Sequence, residues 1–125
     1  MVLKLESTNS AISEDQIIAL CTEAFGGLDI DDKRLLFIIP DHSRTAPIDV
    51  MFRVLYRLLE SRVQSLDFLI ALGTHPPMSV DAIYHRIGIS EREHKRLYLK
   101  ARFFNHHWKD DGQLKKIGII TEDEV

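Results

Sequence analysis

Leu35-Leu36-Phe37-Ile38-Ile39-Pro40-Asp41-His42-Ser43-Arg44-Thr45-Ala46-Pro47 is the stretch on which the reading of this chain turns. Five apolar residues in a row stop at a proline, and Asp, His, Ser and Arg follow within four positions. An apolar run of this length, bounded by polar turn residues, predicts a strand buried on both faces. Pro47 stands just ahead of a strongly periodic segment, so the polar stretch predicts a loop opening onto a helix. In an open parallel sheet, ligands sit outside the carboxyl ends of the strands. Asp41 to Arg44 is therefore a candidate site on position and chemistry alone.

On the C-terminal side, Ile48 to Val63 predicts a long amphipathic helix. Met51, Val54, Leu55, Leu58 and Leu59 fall at three- and four-residue intervals, Arg62 continues the same stripe, and Arg53, Arg57 and Glu60 take the wet face. Leu66 to Leu72 is a second buried-strand run, ended by Gly73-Thr74-His75-Pro76-Pro77-Met78. Ser79 caps a helix carrying Ile83 and Ile87 and closed by Gly88. Ser90-x-x-Glu93 is a capping box opening another helix through Leu97. Ala101 to Phe104 predicts a third, shorter strand, and Asn105-His106-His107-Trp108 ends it. Asp110 to Ile117 is expected to form one more helix, and Ile119-Ile120 to begin a strand.

On the N-terminal side, Val2 to Leu5 is a candidate edge strand. Ser13-Glu14-Asp15-Gln16 is a capping box for a helix through Phe25 that ends at Gly26-Gly27. The glycine pair lacks a Gly-x-x-x-x-Gly-Lys pattern, so it reads as a helix stop and not as a phosphate loop. Strands alternating with helices, joined by connections of this length, require parallel pairing and right-handed crossovers. The expected fold is one α/β domain over 1–125, Rossmann-like, with a mostly parallel sheet and helices on both faces.

Composition narrows the function classes. The 125 residues are 45% hydrophobic and 28% charged, with a net charge of -3 and 16 scattered basic residues, which lack the one-sided basic footprint of a nucleic-acid binder. The single cysteine, Cys21, cannot form an internal disulfide and sits among apolar neighbours, so a reducing cytoplasm is the expected compartment and a small buried hydrophobe the expected role. No apolar run reaches membrane-spanning length, and Lys4 and Glu6 interrupt the start where a signal peptide needs its apolar core.

Three successive strands finish in polar clusters: Asp41, His42 and Arg44; Thr74 and His75; Asn105, His106 and His107. Parallel strands deliver all three to one rim of the sheet. Arg44 offers a planar fork for a carboxylate or phosphate, aided by the amides opening the next helix. His75, between a glycine turn and two prolines, has a stiff backbone and a side chain suited to carrying a proton near neutrality. Asp41 has three open roles: orienting His42, bracing Arg44 or accepting a hydroxyl. Ser43, just ahead of a helix, is expected to cap it. His106 and His107 are adjacent, so in an extended segment only one faces the rim. A metal held by His42, His75 and His106 is a further reading, although no His-x-x-x-His or Cys-x-x-Cys spacing is present.

Asp41-His42-Ser43-Arg44-x-x-Pro47, Ala71-Leu72-Gly73-Thr74-His75-x-Pro77-Met78 and Asn105-His106 resemble, in order and spacing, the N-terminal domain of the nickel-dependent lactate racemase family. The resemblance spans Leu35 to Gly118 and is strongest in the Gly-Thr-His-x-Pro-Met segment. It implies an isomerase that inverts the hydroxyl-bearing carbon of 2-hydroxy acids, using a nickel-pincer nucleotide that accepts the substrate hydride and returns it to the other face. Carried over by motif, His75 corresponds to one of two proton-exchanging histidines and Arg44 to the carboxylate-holding arginine. Asp41 belongs to the substrate and cofactor contact loop, with His42, Ser43, Arg44 and Thr74 as cofactor contacts. Thr45-Ala46 stands where a proline commonly follows the arginine, Pro76 where arginine is common, and His107 where an aspartate usually follows Asn-His. These departures point to a hydroxy acid other than lactate.

The family's second histidine, cofactor-linking lysine and nickel-ligating histidine lie beyond the third motif. The resemblance thus implies one wall of a two-domain active site, inactive by itself and completed by a C-terminal domain or partner chain. The alternative reading is a free-standing, non-catalytic module that binds a small carboxylate or phosphate. Homodimerisation through an apolar flank left open is a further expectation.

Overall fold

The structure, a computed structural model, describes residues 2–6, 11–110, 112, 114–119 and 121–124. Three parallel strands carry the fold: β1 (Arg34–Pro40), β2 (Ser65–Ala71) and β3 (Ala101–Asn105), in spatial order β1-β2-β3. Helix α1 (Glu14–Gly26) precedes β1, α2 (Ile48–Leu59) crosses from β1 to β2, and α3 (Val80–Ile87) and α4 (Glu91–Leu97) cross from β2 to β3. A 3-10 turn spans Glu122–Glu124.

The predicted caps form. Ser13 and Gln16 close a reciprocal box at α1, Ser90 and Glu93 do the same at α4, and the Ser79 hydroxyl accepts from the Ala82 amide at α3. Gly88 ends α3 at φ 83°, and a Cβ there would lie 2.8 Å from the Asp49 Cβ. Both the left-handed backbone and the packing of α3 on α2 therefore require glycine. Helix α2 ends at Leu59, short of the expected Val63, so Arg62 lies beyond it and reaches back to α1: its guanidinium donates to the carbonyls of Phe25 and Leu28 and pairs with Asp31 at 2.8 Å. It supplies the cation that the last turn of α1 lacks. Lys100 serves the end of α2 in the same way, donating to the carbonyls of Glu60 and Val63.

Register aligns Phe37, Phe68 and Phe103 across the sheet, with ring centroids 5.4 and 5.6 Å apart. Phe25 of α1 meets Phe37, Phe52 of α2 meets Phe68 and Phe103, and Tyr84 of α3 and His94 of α4 meet Phe103. All four helices therefore lie on one face. The opposite face presents Leu36 at 56%, Ile38 at 68% and Phe104 at 43% exposure, with Asp67 and Arg102 ion-paired between β2 and β3.

This corrects the reading of Leu35 to Ile39 as buried on both faces, and among the described residues the expected helices on both faces are found on one. The cause is topological. Strand order advances without reversing, and two right-handed crossovers stepping the same way must both pass over the same face. A continuous apolar run does not reveal this, because an edge strand and a central strand can carry the same letters.

The α/β class with its parallel sheet stands. Val2 to Leu5 forms no strand. Residues 114–117 are irregular, so the helix expected over Asp110 to Ile117 is absent there. Asp111 and Gln113 of that helix, and Ile120 of the expected last strand, lie outside the described residues.

Candidate functional site

The β1–α2 loop is built around Asp41, which is only 2% exposed. Its Oδ1 accepts from the Ser43 amide at 3.1 Å and from the Ser43 hydroxyl at 2.6 Å, an Asx turn that folds the loop back on itself. Its Oδ2 lies 2.6 Å from His75 Nδ1. These donors hold its carboxyl pKa down at about 2: the Ser43 hydroxyl first, then His75, against the opposing effect of burial. Asp41 is therefore a carboxylate at neutral pH and can only accept, so Nδ1 of His75 faces it with a proton, and in the neutral imidazole Nε2 is the acceptor.

Of the three roles open to Asp41 in the sequence, accepting a hydroxyl is met within the loop, by Ser43, whereas neither His42 nor Arg44 is its partner. It orients a histidine on the neighbouring strand's loop, 34 residues away. Ser43 likewise caps nothing. The N-cap of α2 is Pro47 without a side-chain bond, and the Ser43 hydroxyl is spent on Asp41.

His75 is held from three sides. Gly73, at φ 62°, turns the chain so that the His75 amide donates to the Leu72 carbonyl at 3.0 Å. Trp108 Nε1 donates to the His75 carbonyl at 3.2 Å. Asn105 bonds both backbone groups of Met78, accepting from its amide and donating to its carbonyl. A side-chain amide carries an acceptor and a donor side by side on one planar group, which suits an asparagine at the end of β3. The imidazole itself remains half exposed while its partner Asp41 is buried.

Arg44 and His75 line one cavity of about 610 Å³ at the carboxyl ends of β1 and β2, with Ser43, Thr74 and Leu72 also on its walls. Arg44 is exposed, and its guanidinium forms no ion pair among the described residues. Its backbone is fixed from below: Arg86 of α3 donates to the Arg44 carbonyl at 2.7 Å. His42 is exposed and lines no part of this cavity.

His106 and His107 both line a second cavity, of about 330 Å³. The chain leaves its extended conformation after Asn105, with Trp108 N bonded to His106 O, so strand alternation no longer separates the two. Among the described residues no group of three or more His, Cys, Asp or Glu side chains is placed to hold a metal ion, and His42, His75 and His106 do not assemble into one. Cys21 is half-buried, and burial raises its thiol pKa, which suits a packing role. No helix among the described residues is long and apolar enough to cross a membrane.

The Asp41 carboxyl gives the site a pH signature. A folded pKa below the unfolded value adds stability that is fully present above about pH 4 and is lost as pH falls through about 2. Urea midpoints of the native protein should therefore fall towards those of Asp41→Asn as pH drops from 5 to 2. A gap that stays constant over that range would mean that the carboxylate is not the group responsible.

The family profile described as lactate racemase N-terminal domain matches residues 6–124. Among solved structures, a crystal structure of a Thermotoga maritima protein is similar at 26% identity with a TM-score of 0.66, covering 81% of this chain and 23% of that one. The chain thus spans about a quarter of that protein's length. No curated protein matches.

Proposed function

Because this chain belongs to the lactate racemase N-terminal domain family, we propose that it supplies the carboxylate clamp and one proton-transfer group of a 2-hydroxy acid racemase or epimerase. The observation that carries the reading is the Asp41–His75 pair opening on the same cavity as an unpaired arginine. Arg44 binds the substrate carboxylate through its two-pronged guanidinium. Asp41 fixes the tautomer of His75, and Nε2 takes the hydroxyl proton of the substrate and returns it. Thr74 and Ser43 line the cavity beside them and complete the polar contacts.

The fit to the nickel-pincer nucleotide that the family implies is incomplete. Arg44 and Thr74 can meet its anionic part, but the described residues offer no metal-holding group. The steps assigned to this chain are accordingly binding and proton movement, and the remaining chemistry falls to a further domain or chain.

Calorimetric titration of the protein with a 2-hydroxy acid and with inorganic phosphate tests this. Arg44→Met should weaken hydroxy acid binding by roughly 10- to 100-fold, the value of a charge-assisted hydrogen-bond pair, with Arg44→Lys intermediate. Tight phosphate binding with no hydroxy acid binding would instead favour a free-standing anion-binding module.

A further inference from the structure

Beside the Arg44–His75 cavity lies the second one, of about 330 Å³, whose walls include Pro76, Pro77, His107, Trp108 and Lys109. Thr74 lines both cavities and is their common wall. The second falls within the size range of ligand pockets and is far larger than a methyl group requires. Its position is tied to the site: Trp108 bonds the His75 carbonyl through Nε1, and the Lys109 ammonium sits 5.0 Å from the centre of the indole, fixing the ring plane. Two of its lining residues, Pro76 and His107, are positions at which the sequence departs from the pattern it otherwise resembles. Both lie in this one pocket, which Lys109 and Asp110 also line but whose surface is mostly apolar.

We propose that this pocket receives the substituent on the hydroxyl-bearing carbon of the substrate, and that the substrate is a 2-hydroxy acid with a flat, apolar substituent such as an aryl group. The inference rests on the proposed carboxylate clamp: with the acid on Arg44 and the hydroxyl at His75, the third substituent passes Thr74 towards the indole and the prolines. The proline and tryptophan walls of this mostly apolar surface favour an aromatic ring through burial and edge or face contact.

Trp108 is the only tryptophan in the chain, so its emission reports on the pocket directly. The native protein should be titrated with phenyllactate and with lactate, each followed by calorimetry and by tryptophan fluorescence. Phenyllactate is expected to bind roughly 10- to 100-fold more tightly than lactate, with a Trp108 emission change that saturates on the same isotherm. Pro76→Arg, which places a long charged chain at the pocket wall, should remove most of that preference, read as the ratio of the two affinities. Pro76→Ala, which keeps the space, should retain it.

Equal affinity for the two acids, or phenyllactate binding without a change in Trp108 emission, would overturn the pocket assignment while leaving the carboxylate clamp standing. Failure of both acids to bind would overturn the pocket assignment together with the clamp on which it rests.

Discussion

His75→Ala should lower racemisation of a 2-hydroxy acid by about 10²- to 10⁴-fold once this chain is combined with the remaining domain and cofactor, the range that a positioned acid–base group contributes. The loss should fall on kcat, because the proposed clamp puts the carboxylate on Arg44 and not on the imidazole. Asp41→Asn should reproduce much of it by a different route. An asparagine amide facing Nδ1 can donate to that nitrogen, which shifts the imidazole proton to Nε2, the atom that must accept. The two variants are separable by pH profile: His75→Ala should flatten the limb assigned to the base, whereas Asp41→Asn should displace it. Undiminished turnover in His75→Ala would reject the proton-transfer role outright.

The largest stability effect should come from Phe52→Ala. Phe52 is 1% exposed and its ring meets those of Tyr56, Phe68, Tyr98 and Phe103 at centroid distances of 5.1 to 5.9 Å. It is the point where α2 locks onto the phenylalanine ladder of the sheet. Truncating a buried phenylalanine costs about 3–5 kcal/mol, roughly a fifth or more of the stability of an ordinary domain. For a domain of this size that amounts to a fall in Tm of roughly 10–20 °C by calorimetry.

Leu36→Ser is the matching control, on the same sheet but on its open face. It should change stability by less than about 0.5 kcal/mol in the monomer. If Leu36→Ser proved as costly as Phe52→Ala, the open face would have to be covered in solution. Sedimentation at several concentrations would then show whether a second copy covers it.

Much of this architecture was legible in the letters. Ser13, Ser79 and Ser90 stand where their hydroxyls can take a free helix amide, and each does so, because capping is decided within four residues. The strand runs at Leu35, Leu66 and Ala101 were legible for the same local reason, as was their parallel pairing, since the connections are too long for hairpins. That Arg44 and His75 share a rim followed from that pairing. The pairing of Asp41 with His75 was not legible, because three side chains with suitable chemistry lay within a few residues of Asp41; one of them, Ser43, takes one carboxylate oxygen, and the imidazole on the other lies 34 residues away. Arg62 was misfiled for a similar reason. The helix expected to run to Val63 ends at Leu59, so Arg62 is not on the stripe of α2, and its purpose, the open carbonyl end of α1, lies 37 residues upstream.

The sequence by itself determined the three strands, the helices between them, the serine caps, the parallel sheet and the identity of the polar residues at the strand ends, because these depend on short-range sterics, periodicity and connection length. The tertiary structure decided which face of the sheet is covered and which carboxylate holds which imidazole. Both depend on how separate strands are laid side by side: the direction in which strand order advances fixes the side on which the crossovers pass, and the β1–β2 register brings the Asp41 loop against the His75 loop. No local pattern encodes that register, because it is settled by the packing of the whole aromatic face at once.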